Sequence, residues 1–208
     1  MNIEVTKDVF NLAEVFTISR GSRTEAHVLT VAVEHNNFIG YGECVPYARY
    51  NETLDSVADQ ISEVPKDLTR ARLNNLLPAG AARNALDCAL WDLSAKTSGK
   101  RVWELAGLQS PKPELTAFTL SLAEPEKMRT QAEKNCFRKL LKIKLGTPDD
   151  IPRLEAVRAG APKSDIIVDA NEGWNVKLYS EMAPHLLRLG VKLIEQPLPA
   201  SEDGALLG

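Results

Sequence analysis

The chain has 208 residues, a net charge of −3, 44% hydrophobic residues and 25% charged ones. That supply of apolar side chains supports one large or two smaller folded domains, and it excludes a disordered chain or one built of membrane spans. The acidic balance, with no basic run interleaved with aromatics, argues against a nucleic-acid surface. The opening MNIEVTKDVF lacks a basic segment followed by an apolar stretch, so no leader is read there. Cys44, Cys88 and Cys136 are odd in number and lack CxxC spacing, which fits a reducing compartment, the cytoplasm by default.

A first strand is expected within Ile3 to Ile18. The alternating, β-branched EAHVLTVAVE (25–34) and the following NNFIGYGEC read as an antiparallel hairpin turning at His-Asn-Asn. Asn51 is the expected N-cap of a helix running to about Ser62, with Pro65 beyond its end. A stronger helix starts near Pro78, with Ala82, Leu86, Ala89, Leu90 and Leu93 at helical spacing and Gly99 past its end. Strands followed by helices make an α+β domain over residues 1–112, closed by the SPKP linker. His27, His35 and His185 share no ligand spacing, and Trp91-Asp92 reads as helix packing. GECVPYARY has the make-up of a functional loop.

From residue 113 to 208 the pattern alternates. Strands are expected at Leu115–Ser121, Leu140–Leu145, Asp165–Asp169 and Lys192–Glu195, and helices at Glu126–Phe137, Asp149–Ala159 and Val176–Leu189. No glycine-rich phosphate loop accompanies them. Four parallel βα units are half of a TIM-like (β/α) barrel, which needs eight strands and about 250 residues. The expectation is therefore an N-terminal α+β capping domain followed by the first half of a barrel, truncated.

The strand ends carry the chemistry. LLKIKLG presents Lys142 and Lys144, two apart and so on one strand face; IIVDAN ends on Asp169 and Asn171; KLIEQP carries Glu195. The three strings are about 25 residues apart, one strand–helix unit each, and a barrel gathers its chemistry at the strands' C-terminal ends. Two amines inside a barrel would be desolvated and would repel, lowering at least one pKa toward neutrality and making a general base. Asp169 and Glu195 are hard oxygen ligands suited to magnesium. Blander readings exist for each: a solvated basic edge strand for the lysines, a strand-end cap or ion-pair partner for either carboxylate, a turn cap for Asn171.

Together with ISRGSRTEA, YGECVPYARYNET, LPAGAARNALDCALWDL and QPLPA, these strings resemble the enolase superfamily, in its muconate-cycloisomerase-like branch, and within it the dipeptide epimerases of the L-Ala-D/L-Glu type. The resemblance implies a Mg2+-dependent isomerase that abstracts and returns an α-proton through an enediolate, an arrangement known in general for such sites. It assigns Lys144 and Lys142 to catalysis, Asp169 and Glu195 to the metal, and Asn171 to supporting the site. Arg20, with Arg23 as competitor, would bind the substrate's distal carboxylate through its bidentate fork; either could equally be an exposed loop residue. Thr119 is a further substrate-contact candidate, with barrel packing as its alternative. The implied partner is a small dipeptide, not nucleic acid or a membrane, and full-length relatives would be homo-oligomers. The family takes a third metal carboxylate and an opposite-face acid from later strands, so the isolated chain is expected to be inactive as an epimerase. Two other readings remain: a one-sided relative such as a cycloisomerase or an o-succinylbenzoate synthase, and a non-catalytic truncated product.

Overall fold

In the computed structural model, which describes residues 1–207, Asn36 and Asn37 both adopt left-handed backbone, with φ of 49° and 64°. Asparagine tolerates that region, and two such residues make the tight turn that suits strand twist. The turn joins β2 (Gly21–His35) to β3 (Phe38–Cys44) as an antiparallel pair, His35 opposite Phe38 and Leu29 opposite Cys44. A long β1 (Asn2–Ile18) lies beside β2 and completes a three-stranded sheet.

Helix α3 (Ala81–Ser98) covers this sheet. Its backbone lies flush on β3: a Cβ added to Gly42 would stand 2.0 Å from the Ala85 carbonyl oxygen, and one on Gly40 2.2 Å from that of Ala89. Two glycines on the strand and alanines a helical turn apart create that approach. Leu29, Val31 and Val33 form the core with Val57, Ile61, Leu73, Leu86 and Leu90. Gly99, at φ 69°, ends α3 in the left-handed region.

Two details of this sheet-and-helix part differ from the sequence expectation. Helix α1 (Leu54–Ser62) is capped by Thr53, whose hydroxyl accepts from the Ser56 N–H while Ser56 accepts from that of Thr53. Asn51 instead ends a 3-10 turn (Ala48–Tyr50) at φ 59°, the other role that suits asparagine. The short helices α2 (Arg70–Leu76) and α4 (Val102–Leu105) lacked a readable period.

The second part of the chain builds a parallel sheet in chain order: β4 (Phe118–Leu120), β5 (Leu140–Lys144), β6 (Asp165–Asp169) and β7 (Val191–Glu195). Helices α5 (Pro125–Lys134), α6 (Asp150–Gly160) and α7 (Val176–Arg188) connect them. Leu141, Ile143, Ile166 and Val168 point to the helix side and are fully buried with Met128, Leu154, Val157 and Leu186. This is an arc of a (β/α) barrel. β4 is shorter than expected, and α5 stops at Lys134, leaving Phe137 74% exposed.

Contacts divide the chain into two units. One comprises Met1–Asn11 and Glu25–Lys112; the other comprises Leu12–Thr24 and the chain from Pro113 onward. The tip of the β1–β2 hairpin, grouped on sequence with residues 1–112, thus belongs by contacts with the parallel sheet. Its Thr17 N–H donates to Ser121 Oγ at 2.6 Å, and its Thr17 carbonyl accepts from the Leu122 N–H at 3.1 Å.

Candidate active site

Register decides which side chains meet. Thr119 pairs with Lys142, Lys142 with Ile167 and Ile167 with Leu193, so these four share one level of the face opposite the helices. Lys144 pairs with Asp169 and Asp169 with Glu195, forming a charged level at the C-terminal strand ends. β5 lies between β4 and β6, and Lys144 is 8% exposed. The lysines therefore do not form a solvated edge.

The four charges alternate in sign. Lys144 Nζ lies 2.6 Å from Asp169 Oδ2 and 3.1 Å from Asn171 Oδ1. Lys142 Nζ bridges the two acids, 3.2 Å from Asp169 Oδ2 and 2.5 Å from Glu195 Oε2. The other Asp169 oxygen accepts from the Asn171 N–H at 2.8 Å. Burial would raise the Asp169 carboxyl, but Lys144, the Asn171 amide and Lys142 outweigh it and hold the group below the usual range. Burial likewise pulls the Lys142 ammonium down, yet its bonds to Glu195 and Asp169 prevail and leave it raised. Repulsion between the two amines alone would lower a lysine pKa; for Lys142 the interposed carboxylates reverse the sign.

Asn171, Glu172 and Gln196 carry the chain away from the strand ends in left-handed backbone, with φ of 48°, 64° and 45°. Non-glycine residues are uncommon there and cluster where surrounding structure over-determines them. Here the Glu172 N–H donates to the Gln196 carbonyl at 2.8 Å and Asn171 Nδ2 to Gln196 Oε1 at 3.3 Å. Arg20, in the two-residue turn between β1 and β2, donates from Nη1 to the Asn171 carbonyl at 2.6 Å and stands 3.7 Å from Glu172. Ser19 Oγ donates to the same carbonyl at 3.1 Å. Arg23 lies over the Phe16 ring, 5.7 Å from its centroid.

Lys142, Lys144, Asp169, Glu195 and Asn171 thus converge, and Arg20 reaches the group through the Asn171 carbonyl. Thr119 sits a level below, beside Lys142. Sequence reasoning missed Asp150. Fully buried at the start of α6, it accepts from the Gly146 and Thr147 N–H groups at 2.6 and 2.8 Å and from Trp174 Nε1 at 2.9 Å. It ties the loop after Lys144 to the loop after Asn171. The readable signal was Thr147-x-x-Asp150, a capping-box spacing. Ser19, Glu172 and Gln196 had no such signal, because their contacts are set by the tertiary fold.

Residues 1–107 match the family model for the mandelate racemase / muconate lactonizing enzyme N-terminal domain. The chain belongs to that family. Residues 125–207 match its companion, the enolase C-terminal domain-like model. An L-Ala-D/L-Glu epimerase of Escherichia coli (strain K12) is 43% identical over 98% of this chain. An N-acetyl-D-glutamate racemase of a Pseudoalteromonas species is 42% identical over 86% of it. The chain spans 65% and 59% of those two proteins' lengths. Among solved structures, an enolase family member from Agrobacterium tumefaciens with homology to dipeptide epimerases, holding sodium and L-Ala-L-Glu, superposes with a TM-score of 0.94 at 48% identity, covering 98% of this chain and 64% of that one. A dipeptide epimerase from Cytophaga hutchinsonii complexed with Mg and D-Ala-L-Val gives 0.89 at 26% identity, covering 98% and 60%. The α+β domain followed by an arc of parallel barrel is accordingly the enolase-type arrangement.

Proposed function

We propose that this chain carries part of the machinery of a cytoplasmic, magnesium-dependent dipeptide epimerase of the L-Ala-D/L-Glu type. The observation that supports it most is the Lys144–Asp169 contact of 2.6 Å at the strand ends, with Glu195 in register beside it. Asp169 and Glu195 are hard oxygen donors close enough for one ammonium to touch both, which suits magnesium, an ion that takes few carboxylates and fills its octahedron with water and substrate oxygens. They would hold it. When bound, magnesium supplies Lewis-acid charge to the substrate carboxylate and so acidifies the neighbouring carbon.

Lys144 Nζ removes and returns the proton at the substrate α-carbon. Lys142 contributes a second positive charge, and Asn171 holds the reacting amine through its side-chain oxygen. Arg20 takes the substrate's distal carboxylate, and Thr119 lines the level beneath. Among the described residues both lysines come from β5, so they address one side of the bound carbon. Inversion requires an acid on the other side. By itself the 208-residue chain should exchange the α-proton of L-Ala-L-Glu for solvent deuterium with retention and form no D-epimer.

A second reading, an N-acylglutamate racemase, is favoured by the 42% identity to the N-acetyl-D-glutamate racemase. Both substrates are N-acylated glutamates with the same two carboxylates. Proton NMR in deuterium oxide, with magnesium and either substrate, separates them by which α-proton is lost. D-epimer from this chain would overturn the one-sided account. A folded sample that exchanges neither substrate counts against both readings.

A further inference from the structure

Glu172 has no task in the chemistry above, yet the fold goes to some length to place it. Its backbone sits at φ 64°, a conformation costly for glutamate, and its N–H is fixed on the Gln196 carbonyl. Its side chain is only 13% exposed and faces Arg20 at 3.7 Å, whereas that of Arg20 is 35% exposed. A half-buried carboxylate next to the guanidinium that would receive the ligand is a poor arrangement for holding an anion unless the carboxylate is exchanged for it. We propose that Glu172 is a specificity-determining residue, an internal counter-ion that holds Arg20 in the ligand-free protein and that a ligand's own carboxylate must replace.

The geometry separates two jobs. Arg20 is oriented by the Asn171 carbonyl at 2.6 Å and by the hairpin tip, which is itself anchored through Thr17 and Ser19. Among the described residues those bonds run to Ser121 Oγ and the Asn171 carbonyl, not to the Glu172 carboxylate. What Glu172 supplies is charge: it neutralises Arg20 until a better-placed anion arrives. The anion must also suit the rest of the site, because the Asn171 that binds Arg20 through its carbonyl contacts Lys144 through its side chain. A ligand with one carboxylate at the Lys144–Asp169–Glu195 level and a second at Arg20 can make the exchange. A lone small anion meets a guanidinium already neutralised. The ligand class is thus a compact N-acylated dicarboxylate, and this assignment rests on the function proposed above.

The test compares the 208-residue wild type with Glu172→Gln, using calorimetric titration with magnesium and either L-Ala-L-Glu or its neutral analogue L-Ala-L-Gln. Removing the counter-ion should tighten L-Ala-L-Glu binding roughly two- to fivefold, the scale of a partly exposed ion pair. L-Ala-L-Gln binding should not change, and Arg20→Gln should erase the difference between the two ligands. Equal effects on both ligands, or weaker L-Ala-L-Glu binding in Glu172→Gln, would overturn the proposal and make Glu172 a structural support. A second measurement needs no ligand: nitrogen-15 NMR of the arginine side chains, with Arg20 assigned through Arg20→Lys. Glu172→Gln should speed solvent exchange of the Arg20 Nε–H, and an unchanged rate would also sink the idea. If that rate responds while neither dipeptide binds, the counter-ion stands and the dipeptide reading falls.

Discussion

Asp169 is the residue on which the site's charges balance. Its side chain is 2% exposed and it contacts both lysines. Asp169→Asn would leave two ammonium groups facing one another with Glu195 alone to offset them. Breaking a buried pair in this way costs about 3–5 kcal/mol. Urea unfolding in a chelating buffer should show a loss of that size, and a loss below about 1 kcal/mol would mean the charges are solvated. Asp92 offers a milder case with a pH signature. Burial would raise its pKa, but Lys96 and the Tyr41 N–H outweigh that and lower it. A depressed folded pKa stabilises above the unfolded value of about 3.9 and ceases to do so as pH falls through the folded one. Asp92→Asn should therefore be the less stable protein at pH 7, with the gap closing as pH falls below the ordinary carboxylate range, as read from unfolding midpoints at neutral and acid pH.

At the scale of elements, the seam between β3 and α3 is the least forgiving place in the chain. Gly42→Ala must push the helix off the strand, because the new Cβ would fall on backbone atoms that cannot rotate away. A loss of about 3 kcal/mol or more is expected. Gly204→Ala, where a Cβ meets nothing within 4 Å, should stay within about 0.5 kcal/mol. Thermal unfolding of the two variants side by side decides it. The same scale explains what could be read from the sequence. Period-two alternation and an even spacing of strand ends bring Lys142, Lys144, Asp169 and Glu195 together, since register follows from one strand–helix unit per string. Caps are harder. Asn51 and Thr53 both suit a helix start, and the choice went to the residue whose hydroxyl reaches an N–H three residues on. Thr53→Ala should accordingly weaken α1 by about 1 kcal/mol. The contact of Arg20 with Asn171 joins residues 151 apart in the chain and left no local trace.

For the whole molecule, the sheet β4–β7 ends in two strands with no further neighbour among the described residues, and β4 has only three residues. Such edges invite pairing with other chains. No group of three or more His, Cys, Asp or Glu side chains suited to a metal occurs among the described residues. On the function proposed, magnesium would rest on Asp169 and Glu195 with water and substrate, and its binding by these residues should be weak. Calorimetry should find no tight, stoichiometric event, and the appearance of one would imply that a second chain completes the ligand set.

The Asp150 hub has a consequence for light. Of the three tryptophans, Trp91 and Trp103 belong to the first unit, are partly exposed and lie beneath arginines. Trp174 belongs to the second, is 2% exposed and gives its indole N–H to the Asp150 carboxylate. A shielded indole emits to the blue of a hydrated one, so each unit carries its own colour. The blue component comes from the residue that ties the loop after Lys144 to the loop after Asn171, so fading of that component would signal loosening of the loops that frame the charged strand ends.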